Sequence, residues 1–122
     1  MKIAVYLCGL YSIGLAVFHV FFWKLFRWKT ELAKAAVSTR AIIQIANLCL
    51  IYLFIFVAFL CFAYPEEIAG TPLGSAFIGG MGIFWVLRTL EQFIFLRYNT
   101  AFIHTLTAVF ALGAFLHFRV LL

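Results

Sequence analysis

Four long apolar runs set what this chain can fold into. Residues 3–23 and 41–64 contain no Asp, Glu, Lys or Arg, and residues 73–96 are apolar apart from a short polar motif, Arg88, Glu91 and Gln92. Residues 101–118 form a shorter fourth run that Thr100 can cap and residues 120–122 can extend. A helix that crosses a bilayer needs about 20 mostly apolar residues, and a backbone in lipid must satisfy its own hydrogen bonds, which a helix does within one segment. The expected fold is therefore an all-α integral membrane protein, a four-transmembrane-helix antiparallel bundle. It forms a single membrane domain over residues 1–122, with spans near 3–23, 41–64, 73–96 and 100–118. Composition agrees: 67% of the 122 residues are hydrophobic and 11% charged, whereas soluble domains average roughly half and a quarter.

The first run differs from a cleaved signal peptide, which carries its basic residues before the apolar stretch and small residues after it. Here only Lys2 precedes the run, and the bulky, basic "FFWKLFRWK" follows it. Loop charges then give an orientation. The first connection, "KLFRWKTELAKAAVSTR", holds five basic residues against Glu31; the second, "PEEIAGTP", holds Glu66 and Glu67 and no base; the third, "RYNT", holds Arg97. Basic excess marks the cytoplasmic side. Connections 24–40 and 97–100 are expected in the cytoplasm and both termini outside, with a bacterial inner membrane as the location and Lys2 and Arg119 as minor contrary charges. Topology and anionic lipid head groups account for the net charge of +5, so no nucleic-acid partner is expected. Leu25, Phe26, Trp28 and Leu32 alternate with lysines, the pattern of a segment lying in the membrane interface.

Punctuation supports four helices. Pro65 should stop the second helix, Thr71-Pro72 is a cap followed by proline at the first helical position, Ser38 or Thr39 can cap the second helix, and Asn99 or Thr100 the fourth. Cys8, Cys49 and Cys61 lie inside spans without a C-x-x-C spacing and suggest neither a disulfide nor a metal site.

Apart from Ser12, Ser75 and His117 in the outer half, the polar residues of the spans form one layer. Counting from the cytoplasmic helix ends at 1.5 Å per residue, His19, Gln44, Asn47, Gln92, Glu91 and His104 lie roughly 5–9 Å in, and Arg88 about 12 Å. Arg40, Gln44 and Asn47 share one stripe of the second helix; Trp85, Arg88 and Gln92 share one of the third, with Glu91 beside it; His19 and Trp23 are i and i+4 on the first. On the fourth helix, Thr100, His104, Thr107, Ala111 and Ala114 make a stripe of mostly small residues suited to close packing, which should turn His104 inward. A charge facing lipid costs on the order of 3 kcal/mol or more. Arg88 is therefore expected to pair with Glu91 and to find further acceptors in Asn47 or Gln44.

These residues define the candidate ligand site: His19, Trp23, Gln44, Asn47, Trp85, Arg88, Glu91, Gln92 and His104. The function expected from them is binding or movement of an amphipathic small molecule or lipid. Arg88 would meet an anionic group, Trp23 and Trp85 would wall the pocket, and Arg40 and Arg97 would stand at its mouth. The plainer alternative is a structural or accessory subunit whose polar network only locks the helices in register. His19 and His104, at matching depth, are candidates for bis-histidine haem ligation; otherwise no cofactor is expected, since two histidines and Glu91 are a thin metal set. Acid–base work by His19, Glu91 and His104 on a lipid would make the chain an enzyme, but no serine or cysteine nucleophile stands at a recognisable spacing from a histidine. The size and four-helix plan are similar to those of the small multidrug resistance transporters. That family carries its essential glutamate in the first helix, whereas the span carboxylate here is Glu91 in the third. Membrane lipids are the expected partners, together with a second copy of the chain.

Overall fold

The computed structural model of the chain describes residues 2–96 and 99–122. Among these residues there is helix and no strand. Four helices are long and apolar enough to cross a membrane: α1 (Lys2–Val20), α4 (Val37–Ala63), α6 (Pro72–Phe95) and α7 (Ala101–Leu121). Between α1 and α4 come two single turns, α2 (Phe22–Leu25) and α3 (Trp28–Glu31), then a 3-10 turn at Leu32–Lys34; α5 (Pro65–Gly70) joins α4 to α6.

The chain divides into two compact units, Gly9–Leu60 on one hand and Met1–Cys8 with Cys61–Leu122 on the other. Many outward-facing side chains are apolar, with Leu10, Val17, Ile42, Ile45, Phe93 and Phe115 all exposed.

Helix ends follow local chemistry. Thr71 and Thr100 cap α6 and α7 as expected, accepting from the backbone N–H of Gly74 at 3.0 Å and of Ile103 at 3.3 Å. Pro65 ends α4 but does not leave a loop behind it. With proline at its first position and Glu66 and Glu67 in its first turn, the segment forms α5, because acidic side chains stabilise a helix N-terminus. The second long helix starts four residues earlier than expected, so Ser38 and Thr39 lie inside α4 and cap nothing; its turn begins with the bond from Arg40 N–H to Ala36 O at 3.0 Å. Arg97 of the third connection lies outside the described residues.

In the unit containing α5, α6 and α7, the contacts rise along α6 as they fall along α7. Gly82 faces the Phe118 ring, Trp85 stacks on Phe110, and Gln92 reaches Thr107. The buried side of α7 is Phe110, Gly113, His117 and Val120. It is therefore not the expected stripe of small residues: His104 and Ala111 are exposed. Trp85 needs a flat partner, and Phe110 supplies it with centroids 5.7 Å apart and planes 17° apart; aromatic pairs of this kind favour one helix rotation over another. At the N-terminal end of α1, Lys2 pairs with Glu66 of α5, and Tyr6 stacks on Phe62.

Two outcomes test this packing. A Cβ on Gly74 would run into the backbone of Glu67 and Ile68, which cannot swing aside, whereas one on Gly80 meets nothing within 4 Å. Gly74→Ala should lose about 1–3 kcal/mol and Gly80→Ala should be neutral or gain up to about 1 kcal/mol of helix propensity, as read from thermal unfolding in detergent; equal effects would count against the α5–α6 corner. The second concerns pH. A hydrogen bond from Lys2, and then its charge, hold the Glu66 carboxyl below its ordinary 4.5. A carboxyl with a depressed folded value contributes its stability above the ordinary value and loses it as pH falls through the folded one; for so exposed a pair the amount is small. In Lys2→Met, the Glu66 carboxyl resonance should titrate back near its ordinary value, and an unchanged curve would exclude the pair.

Candidate functional site

The candidate residues fall into two neighbourhoods, one in each unit. In Gly9–Leu60 the structure brings together His19, Trp23, Gln44 and Asn47. The last carbonyls of a helix have no partner within it, and α1 ends at Val20 because the chain turns at Phe21. Asn47, buried on α4, donates from Nδ2 to the His19 carbonyl at 2.9 Å and so satisfies one of those carbonyls. One turn back, the His19 ring adds a second bond to the Leu15 carbonyl. Its Nδ1 lies 2.7 Å from Leu15 O, and since a carbonyl only accepts, Nδ1 carries the proton. The His19 ring stacks on Phe22 at 4.2 Å and meets the edge of Phe54 at 5.1 Å.

One turn away, the Trp23 indole donates to Gln44 Oε1 at 2.9 Å, and Gln44 Nε2 donates to Arg40 O at 3.2 Å. Gln44 and Asn47 of this stripe thus engage the connection and α1. Both amides are engaged with groups of their own unit.

Beside this chain of bonds lies an open groove of about 650 Å³, lined by Trp23, Lys24, Trp28, Lys29, Leu32, Ala33, Arg40 and Gln44. Its indole walls meet edge to face, with centroids 5.3 Å apart. Sequence reasoning placed Trp23 and Gln44 in a site and Arg40 at its mouth, but did not assign Lys24, Trp28 or Lys29 to it. The signal is the reversal at Arg27, whose backbone is left-handed at φ 53° and ψ 44°, and which folds Trp28 back towards Trp23. Such a conformation in an arginine has no sequence signature.

The other neighbourhood is built from α6 and α7. Trp85 is buried against Phe110, with the Phe84 edge 4.9 Å away. Arg88 lies over the same Phe110 ring, 4.5 Å from the centroid to Cζ, and its Nη1 is 3.9 Å from Glu91 Oε1. The expected pairing with Glu91 is present, as a half-exposed contact long enough to be loose. Cation–π attraction to Phe110 adds to it. Gln92 is buried, and its orientation follows from its neighbour. Thr107 donates its hydroxyl proton to Ile103 O at 2.9 Å, so its oxygen accepts from Gln92 Nε2 at 3.3 Å. Gln92 Oε1 then has no hydrogen-bond partner among the described residues. His104 is exposed at the start of α7, with Nε2 2.7 Å from Asn99 Oδ1. Gln92, His104, Asn99 and Thr107 line a second cavity of about 310 Å³, closed on its apolar side by Phe93, Leu96 and Ile103.

For the haem expectation, His19 lies in one unit and His104 in the other. Among the described residues no three metal-ligating side chains cluster. His117, fully buried, directs Nδ1 to Gly113 O at 2.7 Å, the same bond one turn back along its helix that His19 makes.

The bonds differ in what their loss should cost. Asn47→Leu takes the buried amide donor away from the His19 carbonyl, an expected loss of about 1–3 kcal/mol. Trp23→Phe removes a half-exposed bond, with an expected loss at the low end of the range of about 0.6–2 kcal/mol seen for interhelical bonds. Thermal unfolding in detergent reads both, and a larger loss for Trp23→Phe would refute this ranking. The chain matches no protein-family model, no curated protein and no solved structure.

Proposed function

We propose that this chain is an integral membrane protein, a four-helix antiparallel bundle with both termini outside, which binds or moves an amphipathic small molecule or lipid at its cytoplasmic side. The observation that carries the reading is the groove of about 650 Å³ beside Trp23 and Gln44. Its size falls in the usual range for ligand pockets, about 300–1,000 Å³, and it combines indole walls with lysine, arginine and amide groups. An amphipathic ligand needs both halves of that lining. Indoles favour the level of the membrane interface, where a head group meets its chains.

The orientation rests on the charge bias of the first connection. Lys2 runs against that bias, yet it is paired with Glu66, so a partner carboxylate accompanies the contrary charge. The pairing also keeps the start of α1 beside α5, as an up-and-down bundle requires.

A second reading has its own support. The bonds Asn47–His19, Trp23–Gln44 and Gln44–Arg40 consume the amides of this neighbourhood, as they would in a structural or accessory subunit that uses them only as a lock. Native mass spectrometry of the gently extracted protein separates the two. Ligand binding predicts a retained lipid-like mass that is lost in Trp28→Ala, which removes a wall of the groove and none of the three hydrogen bonds of the lock. A bare protein mass in the wild type, with stability lost in Asn47→Leu, would leave the lock. An absorption spectrum of the same sample would expose haem by its Soret band.

A further inference from the structure

We propose that the groove between α2, α3 and the first turns of α4 recognises the phosphate of a membrane-lipid head group. The inference rests on the amphipathic-ligand reading above and adds the chemistry of the head.

Three cations line the groove, Lys24, Lys29 and Arg40, and no carboxylate does; Glu31, on the neighbouring turn, is not part of the lining. Among the described residues none of the three makes an ion pair, in contrast to Lys2 and Arg88, which each face a glutamate. The positive charge of the groove is thus unanswered among the described residues. Arg40 has one long bond, from Nη1 to Leu32 O at 3.5 Å. A guanidinium carries five donors in a planar fork that matches two oxygens of a phosphate, so most of its capacity is left. Lys24 and Lys29 are exposed and act as point charges on flexible stems. Trp23 and Trp28 supply apolar faces on which the glycerol and the start of the acyl chains can lie. A free phosphate ion would have no use for those faces, which favours a lipid as the source.

A general basic excess in a cytoplasmic connection would arise from topology alone, and the chain contains its own control for that. Lys34 belongs to the same connection but does not line the groove. A diffuse surface field weighs Lys29 and Lys34 alike; a built site weighs only Lys29.

The test uses the delipidated full chain in detergent, titrated with dioctanoyl-phosphatidylglycerol and followed by tryptophan fluorescence, which should shift to the blue as the indoles lose water. Each groove cation removed should weaken binding about fivefold, as expected for one basic residue near an anionic head group, and the three together about a hundredfold. Lys24→Gln/Lys29→Gln/Arg40→Gln should therefore bind about a hundredfold more weakly, and Lys34→Gln like the wild type. Should the triple variant fail to fold, Lys29→Gln alone, on an exposed single turn, should still bind about fivefold more weakly.

Equal weakening by Lys29→Gln and Lys34→Gln would overturn the site in favour of a diffuse field. Uncharged dioctanoylglycerol binding as tightly as the phosphatidylglycerol would overturn phosphate recognition while leaving the amphipathic-ligand reading in place. Inorganic phosphate binding as tightly as the lipid would overturn the lipid source. If neither dioctanoyl compound binds the wild type, both readings fall together.

Discussion

The backbone's need for hydrogen bonds governs this structure. Four helices here are long and apolar enough to cross a membrane. In a bilayer such a chain would have no water to offer its peptide groups, so every N–H and C=O would need a partner inside the protein. Helices meet the demand everywhere except at their ends. Three polar side chains serve there: Thr71 and Thr100 on N-terminal N–H groups, Asn47 on the carbonyl of His19. His19 and His117 each serve a carbonyl one turn back. Part of the polar layer is thus bonded to backbone: Asn47 finishes α1, while His19 and Gln44 add a bond to a carbonyl one turn back.

That accounting also relocates the free charge. Arg88, the most anomalous residue of the third apolar run, is answered by Glu91 and by the face of Phe110. Gln44 and Asn47, expected as its further acceptors, are engaged within Gly9–Leu60. A group already answered on two sides has less to offer an anion than one that is not. Lys24, Lys29 and Arg40, in and beside the connection, line the groove and make no ion pair among the described residues. The proposed head-group site would accordingly lie at the margin of a helix, where less desolvation is needed to bind an anion, rather than in its middle.

The four long helices were legible because their signal is length and apolarity, which survive any error in facing. Caps at Thr71 and Thr100 were legible because capping is local chemistry. So was the stripe of Arg40, Gln44 and Asn47, because three polar residues on an apolar helix leave little choice of inward face. On α7 the same reasoning failed. Nearly every residue there is apolar or small, so periodicity alone does not choose between the stripe with His104 and Ala111 and the stripe with Phe110 and Gly113. Tertiary stacking on Trp85 decided it. The missed helix α5 has a different cause: a six-residue segment is too short for periodicity, and only Pro65 with its two following glutamates hinted at a helical turn.

The groove was the least legible feature, since it depends on one backbone conformation. Arg27 holds φ 53°, a region costing an ordinary L-residue about 1–2 kcal/mol. The turn returns Trp28 to a cluster in which it meets Phe22 at 5.8 Å, Trp23 at 5.3 Å and Phe26 at 6.4 Å. Aromatic pairs contribute about 0.5–1.5 kcal/mol each beyond burial, so three of them offset the strain. Glycine at position 27 would ease the φ but leave the unfolded connection freer, and an extended residue there would carry Trp28 away from Trp23. The rings therefore hold the turn, the turn holds Trp28 against Trp23, and the lysines on either side, Lys24 and Lys29, are carried to the same groove as a consequence.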